Sequence, residues 1–168
     1  MNPEPSLPSG QQVGIITVSD RASAGEYEDL GGPVLREECR SRGWEVIAEA
    51  VVPDEIDRIQ QAIQSFCTQG CTLILTTGGT GIALRDVTPE AIRGLMRVEI
   101  PGFGELMRRR SVELTPNAIL SRGLAAIVGQ TLVIALPGKP QGALDCLRFV
   151  SGAIDHTVKI ARRQPTSC

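Results

Sequence analysis

The sequence predicts an α/β fold of three layers, in which helices cover both faces of a mostly parallel sheet. Three observations support this prediction. The candidate strands are short, continuous apolar runs, as expected for strands that are buried on both faces. Stretches with an apolar residue every three or four positions lie between them, which is the period of an amphipathic helix. The two patterns alternate along the chain, as in βαβ units.

The first half of the chain holds three predicted strands and two predicted helices. The strands occupy residues 13–18, 44–52 and 72–76. A polar loop with three glycines spans residues 19–32. The first helix begins near Pro33 and ends at Gly43, and the second helix follows Asp54, an effective N-cap residue.

The second half holds two further predicted strands, residues 125–128 and 131–136, joined by a tight turn at Gly129-Gln130. A helix over residues 89–96 and another through Leu106 and Met107 precede these strands. The segment 137–140, Pro-Gly-Lys-Pro, ends the last strand, and a helix then runs to about Arg162.

The length and composition indicate one globular domain. A chain of 168 residues fits a single domain, which we place over residues 13–168, after a mobile N-terminal tail over residues 1–12. Aromatic residues make up only 3%, so the core must be aliphatic. The net charge of −2 and the scarcity of aromatic side chains disfavour a nucleic-acid partner.

The sequence shows no feature that would direct it to a membrane. No apolar run approaches the roughly 20 residues that a bilayer-spanning helix requires. The first twelve residues carry three prolines and no hydrophobic block, so they do not resemble a signal peptide. We therefore expect a cytoplasmic protein without a membrane partner.

The cysteines and the single histidine are not predicted to be catalytic. None of the five cysteines forms a Cys-x-x-Cys pair, so we expect free thiols in a reducing compartment. His156 lies in the last predicted helix, and no nucleophile elbow accompanies it. We interpret it as a surface or packing residue.

The most informative segment is Thr-Thr-Gly-Gly-Thr-Gly over residues 76–81, followed by Arg-Asp-Val-Thr-Pro-Glu over residues 85–90. Glycines at a strand end let backbone N–H groups approach an anion with no Cβ in the way. Thr88 is a suitable N-cap and Pro89 a suitable first helical residue. The segment therefore predicts a strand, an anion-binding loop, a charged pair and a helix, a pattern typical of phosphate handling with a metal.

Two better-known phosphate motifs do not fit this segment. Leu84 stands five positions after Gly79, where a Walker A motif requires its second glycine, directly before the lysine. Leu84 also stands where the third Gly or Ala of a Rossmann fingerprint belongs. A purely structural turn between strand and helix remains the alternative.

Chemically capable residues follow each predicted parallel strand. In such sheets ligands bind where the strands end at their carboxyl side. The candidates for binding are Ser19, Asp20, Gly78, Gly79, Thr80, Gly81, Gly138 and Lys139, and the candidate metal ligands are Asp54 and Asp86. Carboxylates from separate loops beside a glycine cradle suit an Mg²⁺ ion shared with triphosphate oxygens.

Each of these residues also has a structural alternative. Asp54 could act only as a helix cap, and Asp86 could simply pair with Arg85 or another surface cation. Asp20 could be an ordinary turn residue, and Lys139 could be solvated. Ser121, within Ile-Leu-Ser-Arg-Gly over residues 119–123, could belong to a plain turn.

These residues resemble the molybdopterin adenylyltransferase family, which includes the bacterial stand-alone enzyme and the G domains of gephyrin and its plant counterpart. The resemblance extends from Val13 to about Arg162. Five segments match in order: residues 18–21 with the glycine-containing loop to 33, residues 52–54, residues 76–81 with 85–91, residues 101–105 through 120–122, and residues 136–138.

The resemblance implies a homotrimer of α/β subunits that binds molybdopterin and Mg-ATP. The family transfers AMP from ATP to the terminal phosphate of molybdopterin and releases pyrophosphate. By this resemblance Asp54 and Asp86 are the catalytic carboxylates, Ser121 lies in the pterin-binding region, and residues 78–81 form the phosphate cradle. It also suggests hand-over of the product to a molybdenum-insertion enzyme.

Two alternatives remain open. A sister branch of the family shares the glycine loop but commonly lacks the Arg-Asp-Val-Thr-Pro run. If this chain belonged to that branch, it would be a molybdopterin-binding or scaffold protein without catalysis. The run is intact here at residues 85–89, which favours the active branch. A related domain hydrolyses nucleotide pyrophosphates such as ADP-ribose, mostly as one half of longer chains.

Overall fold

The computed structural model describes residues 10–162. Most of the predicted N-terminal tail, residues 1–9, lies outside this range, as does Cys168. Residues 10–12 lie inside it, and the first strand begins at Gln12, one residue before the predicted start.

Within residues 10–162 the strands form one six-stranded sheet of order β2-β1-β3-β6-β5-β4. The strands are β1 Gln12–Val18, β2 Glu45–Val52, β3 Leu73–Thr77, β4 Val98–Glu99, β5 Ala125–Val128 and β6 Thr131–Leu136. β2, β1, β3 and β6 are parallel, whereas β5 is antiparallel to β6 and β4 is antiparallel to β5. The prediction of a mostly parallel sheet is confirmed.

Helices cover both faces of this sheet. They are α1 Asp20–Ser23, α2 Gly31–Ser41, α3 Ile56–Thr68, α4 Thr88–Arg93, α5 Pro101–Val112 and α6 Pro140–Arg162, with a 3₁₀ helix over Pro116–Leu120. Among the described residues, no helix has both the length and the apolar character needed to cross a bilayer.

Two aliphatic cores lie on opposite faces of the sheet. Alternate residues of β1 divide between them: Val13 and Ile15 pack with α2, α5 and α6, while Ile16 and Val18 pack with α3 and α4. This alternation explains why the strands are continuous apolar runs, since each face of the pleat is buried.

Three short elements were not predicted. α1 is a four-residue turn within the polar loop, and Ser19 caps it by accepting a hydrogen bond from the backbone N–H of Ala22. The two residues of β4 are too few to show any periodicity, and the 3₁₀ helix is five residues long. The predicted tight turn between β5 and β6 is confirmed, with Gly129 at φ +59°.

The predictions for the cysteines and the histidine agree with the described residues. Cys39, Cys67, Cys71 and Cys146 are free thiols. Burial raises the pKa of Cys39 to about 12, which makes it a poor nucleophile. His156 is exposed on α6.

Candidate active site

Five of the predicted site residues line one cleft at the carboxyl edge of the parallel strands: Ser19, Asp54, Gly78, Gly79 and Asp86, with Gly138 as a sixth at the end of β6. This cleft of about 280 Å³ opens between the ends of β1, β3 and β6 and the start of α2. Both candidate carboxylates, Asp54 and Asp86, line it. We call this the acidic cleft; its lining includes Ser19, Asp29, Asp54, Gly78, Gly79, Asp86 and Gly138.

The glycines of the loop are required by close backbone packing. Gly78 has φ +102°, and a Cβ there would lie 2.2 Å from the carbonyl oxygen of Val18. Gly79 has φ +65°, and a Cβ there would lie 2.3 Å from Oγ1 of Thr88 and 3.1 Å from Oδ1 of Asp54. A side chain at either position would clash, and one at Gly79 would also crowd the carboxylate of Asp54.

Asp54 does not cap the helix that follows it. Glu55 occupies the N-cap position of α3, and no side chain caps that helix end. Asp54 Oδ2 instead accepts a hydrogen bond from the backbone N–H of Asp20, at 2.9 Å. Desolvation and the negative charges of Asp20 and Asp86 raise the pKa of the Asp54 carboxyl. Asp54 therefore faces the cleft with a charge that the protein itself leaves poorly compensated.

Asp86 does not pair with Arg85. One of its oxygens, Oδ2, accepts a hydrogen bond from the backbone N–H of Ala83, at 2.9 Å, which folds the segment 81–86 back on itself. Arg85 instead makes a two-pronged ion pair with Asp20, at 2.9 and 2.7 Å. Asp20 therefore pairs with Arg85 and does not line the acidic cleft. Because of this ion pair, Asp20 is more than the ordinary turn residue that was the structural alternative.

The cap predicted at Thr88 is also wrong. Val87 is the N-cap residue of α4, and Thr88 is the first helical residue. The buried hydroxyl of Thr88 donates to the carbonyl oxygen of Gly78, at 2.9 Å. This hydrogen bond connects the glycine loop to the start of α4.

The other predicted binding residues do not lie together. Gly138 lines the acidic cleft, and a Cβ there would lie 3.3 Å from the Cα of Gly78. Thr80 is buried and Gly81 half-buried, and neither lines that cleft. Ser121 and Lys139 line a second cavity.

This second cavity, also of about 280 Å³, shares the segment 137–140 with the acidic cleft: Pro137 and Lys139 line the cavity, whereas Gly138 and Pro140 line the cleft. We call it the cationic cavity, because Arg108 and Lys139 line it and no carboxylate among the described residues does. Its lining also includes Met107, Ser111, Thr115, Asn117, Ser121 and Cys146. Arg108 donates to the carbonyl oxygen of Gly123, at 2.8 Å, which fixes its guanidinium beside Ser121.

Two residues of these sites were missed by the sequence analysis. Asp29 accepts hydrogen bonds from the N–H groups of Gly31 and Gly32 and from the hydroxyl of Thr17. An aspartate two residues before a helix was the available signal. Arg108 gave no signal, because it lies on α5 among other arginines.

The arrangement can hold a phosphate group and a divalent cation. The described residues contain no group of three or more His, Cys, Asp or Glu side chains suited to a metal. Two carboxylates facing one cleft fit Mg²⁺, which is usually bound through one or two carboxylates plus substrate phosphates. The fold and site are thus those of an α/β protein whose cleft, at the carboxyl edge of its sheet, suits a phosphorylated ligand.

Comparison with known proteins gives the family. Residues 14–156 match the family model described as a probable molybdopterin binding domain, and the chain belongs to this family. Molybdopterin adenylyltransferase of Helicobacter pylori (strain J99) is 45% identical over 152 residues, which cover 88% of this chain and 86% of that protein. The enzyme of the same name from Escherichia coli K12 is 41% identical, with 88% and 77% covered.

Solved structures of related proteins have the same fold. The molybdopterin biosynthesis enzyme MoaB from Thermus thermophilus superimposes with a TM-score of 0.85 at 42% identity, over 94% of this chain and 99% of that one. The tungsten cofactor synthesizing protein MoaB from Pyrococcus furiosus gives a TM-score of 0.86 at 35% identity, over 94% and 100%. The family resemblance inferred from the motifs is confirmed.

Proposed function

We propose that this chain is a molybdopterin adenylyltransferase, which moves AMP from ATP to the terminal phosphate of molybdopterin and releases pyrophosphate during molybdenum cofactor biosynthesis. The observation that carries the proposal is the placement of Asp54, Asp86 and the glycine pair Gly78-Gly79 around one cleft. The curated relatives with this activity are 41–45% identical over most of the chain.

Asp54 and Asp86 would hold Mg²⁺ in this reaction. Desolvation and the negative charges of Asp20 and Asp86 raise the pKa of the Asp54 carboxyl, and the positive charge of Arg85 offsets this only in part, so a divalent cation in the cleft would stabilise the ionised form. When bound, Mg²⁺ neutralises charge that develops on the phosphate oxygens. We predict Mg²⁺ because two carboxylates, Asp54 and Asp86, line the same cleft.

The opposite charges of the two cavities suggest how the substrates divide. The acidic cleft carries Asp29, Asp54 and Asp86, so it suits a nucleotide that arrives with its divalent cation. The cationic cavity offers Arg108 and Lys139 to a free phosphate monoester, and hydroxyl and amide groups to a pterin ring. We therefore assign ATP to the acidic cleft and molybdopterin to the cationic cavity.

The residues of the chain act mainly by alignment. The terminal phosphate of molybdopterin is already ionised, so its attack on the α-phosphorus requires no strong general base. Residues of the segment 137–140 line both cavities, so phosphates bound in the two cavities would approach each other near Gly138. Backbone N–H groups in a side-chain-free loop can stabilise the phosphate charge there.

Three further features belong to this proposal. We expect a homotrimer, by the resemblance to the family, and light scattering on the purified chain measures it. We expect the reaction to take place in the cytoplasm, in keeping with the free thiols of the described cysteines. We also expect the adenylated pterin to be handed to a molybdenum-insertion enzyme.

The test is to incubate the chain with molybdopterin, ATP and MgCl₂ and to detect the adenylated pterin by mass spectrometry, with pyrophosphate measured in parallel. We expect both products, and we expect neither when EDTA replaces the metal. Asp86→Asn removes charge at constant size, so it should lose turnover while binding molybdopterin as the wild type does.

Two outcomes separate the alternatives. Molybdopterin binding without pyrophosphate release would identify a non-catalytic pterin-binding protein. Hydrolysis of ADP-ribose by the same preparation, without adenylated pterin, would point to the pyrophosphate-hydrolysing relatives. Near-normal AMP transfer by the Asp86→Asn variant would exclude the metal role of Asp86.

A further inference from the structure

We propose that Arg122 is a positioning residue, which holds the carboxylate of Asp86 and the glycine loop in the geometry that adenylyl transfer requires. The proposal rests on the proposed function. Arg122 lies outside the lining of the acidic cleft, so it acts through the segment that it holds rather than on the substrate.

Arg122 fixes both ends of the segment 81–86. Its Nε donates to the carbonyl oxygen of Gly81, at 2.7 Å, and one terminal nitrogen donates to the carbonyl oxygen of Asp86, at 2.6 Å. Its backbone N–H donates to the carbonyl oxygen of Thr80, at 2.8 Å. The other terminal nitrogen pairs with the carboxylate of Glu90 on α4.

Apart from the contacts of Arg122, the segment 81–86 has few anchors among the described residues. The side chain of Leu84 at its tip is fully exposed, and that of Ile82 is 69% exposed, so neither anchors it by burial. Arg85 binds Asp20 in an exposed, two-pronged ion pair, which holds the segment 81–86 near its C-terminal end but makes no contact with Gly81 or with the backbone of Asp86. The hydrogen bond from Ala83 to Asp86 lies within the segment and moves with it.

The guanidinium group is suited to this task for a geometric reason. Its donors lie in one plane in a fixed fork, so it can bind two carbonyls and a carboxylate at once. A lysine ammonium is a compact charge on a flexible stem and cannot reproduce three directed contacts.

The residues on either side of Arg122 in the chain belong to the cationic cavity: Ser121 lines it, and Arg108 donates to the carbonyl oxygen of Gly123.

It follows that Arg122 joins the two substrate cavities mechanically. Its side chain binds the backbone of Asp86, which lines the acidic cleft. The residue before it in the chain, Ser121, lines the cationic cavity. Displacement of a positioning group by about 1 Å can lower turnover by about 100-fold. The loss of Arg122 should therefore lower kcat rather than abolish the fold.

The experiment compares four variants with the wild type. Arg122→Gln and Arg122→Lys remove the fork, and Glu90→Gln removes only the ion pair. Arg93→Gln removes a comparable exposed ion pair with Glu99 at the other end of α4 and serves as the control. The measurements are kcat and KM for each substrate, the dependence of the rate on Mg²⁺ concentration, and amide hydrogen exchange of residues 80–86.

We expect Arg122→Gln to lower kcat by about 100-fold, with KM for molybdopterin within about threefold and with faster exchange of residues 80–86. A higher Mg²⁺ requirement should accompany the loss, because Asp86 is displaced. Arg122→Lys should recover less than about a tenth of the lost rate. Glu90→Gln should lose much less than Arg122→Gln, and Arg93→Gln should behave as the wild type.

Two results would overturn the proposal. One is an Arg122→Gln variant with wild-type kcat; the other is a full rescue by lysine, which would mean that charge alone suffices. A wild-type chain that makes no adenylated pterin would overturn the proposed function and this role together, whereas an active wild type with unimpaired variants overturns this role alone. If Arg122→Gln does not fold, Arg122→Lys and Glu90→Gln carry the comparison.

Discussion

Asp20 and Asp54 cap each other's backbone. The N–H of Asp20 donates to Oδ2 of Asp54, at 2.9 Å, and the N–H of Asp54 donates to Oδ1 of Asp20, at 3.0 Å. This exchange ties the end of β1 to the end of β2 and brings two negative charges close together. Arg85, 65 positions from Asp20 in the chain, makes a two-pronged ion pair with Asp20 and acts on Asp54 only through its charge. Asp54 is left to face the cleft.

The pH dependence of activity should report this charge arrangement. Desolvation, together with the charges of Asp20 and Asp86, raises the pKa of Asp54 above its ordinary value. If Asp54 must be ionised, kcat/KM falls as the pH drops through that raised pKa. We therefore expect the acidic limb of the kcat/KM profile to lie above the range of an ordinary aspartate.

Two substitutions should move this limb in opposite directions. Asp20→Asn removes a negative charge that raises the pKa of Asp54, so the limb should move to lower pH. Arg85→Gln removes a positive charge that lowers the pKa of Asp54, so the limb should move to higher pH. Arg36→Gln, which breaks a similarly exposed pair with Glu49, should leave the profile unchanged. Shifts of the same sign in both cleft variants would contradict this account of Asp54.

Gly79 should tolerate alanine far less well than Gly129, although both have positive φ. Alanine in the left-handed region costs roughly 1–2 kcal/mol at either position. At Gly129 nothing lies within 4 Å of the added Cβ, so that cost should be the whole effect and activity should persist. At Gly79 the Cβ would meet Oγ1 of Thr88 at 2.3 Å, which should raise the total loss to about 3 kcal/mol.

Urea unfolding and adenylyl transfer test this pair of variants. Gly79→Ala should also lose turnover, because its Cβ lies 3.1 Å from Oδ1 of Asp54. Equal losses of stability in the two variants would mean that the loop relaxes to accept the side chain.

The sheet could be predicted from the sequence because its strands are buried on both faces and their apolar runs are continuous. The two residues of β4 carry no such pattern, since their place depends on pairing with β5. The convergence of Asp54 and Asp86 could also be predicted, because the carboxyl ends of parallel strands meet at one edge.

The partners of those residues could not be predicted. Asp20 could have paired with any nearby cation, and only the folded backbone shows that Arg85 reaches it. The cationic cavity is formed by side chains of α5, α6 and the 3₁₀ region, which have no common spacing in the sequence. Such sites depend on how helices pack, whereas strand-end sites depend on topology alone.

Lys139 should matter for the pterin substrate rather than for the nucleotide. It lines the cationic cavity, where we place the terminal phosphate of molybdopterin. Lys139→Gln should raise KM for molybdopterin by about tenfold, the size of one charged hydrogen bond, with KM for ATP little changed. The difference from the wild type should shrink at high salt.

Lys159→Gln is the matched control, since that exposed lysine lies near the far end of α6. It should leave both KM values unchanged. A rise in KM for ATP instead of molybdopterin would reverse the assignment of the two cavities.

Glu38 should stabilise the fold without affecting the reaction. Its side chain is only 8% exposed and lies between Arg42 and Arg148, which joins α2 to α6. Burial raises the pKa of the Glu38 carboxyl, but the hydrogen bonds from Arg148 and Arg42 outweigh it, so the pKa lies below its ordinary value. A carboxyl with a lowered pKa in the folded state stabilises the protein above its unfolded pKa, and this contribution is lost as the pH falls through the folded pKa.

Glu38→Gln should therefore lower the free energy of unfolding by about 2 kcal/mol at pH 7, and the difference from the wild type should narrow as the pH is lowered towards the folded pKa. Glu37→Gln, next to it on the exposed face and paired only with Arg40, should change stability by no more than about 0.5 kcal/mol. Urea unfolding across the pH range measures both variants, and the activity of each at pH 7 should match the wild type. A difference between Glu38→Gln and the wild type that persists undiminished at low pH would show that the side chain stabilises the helix pair by packing rather than by charge.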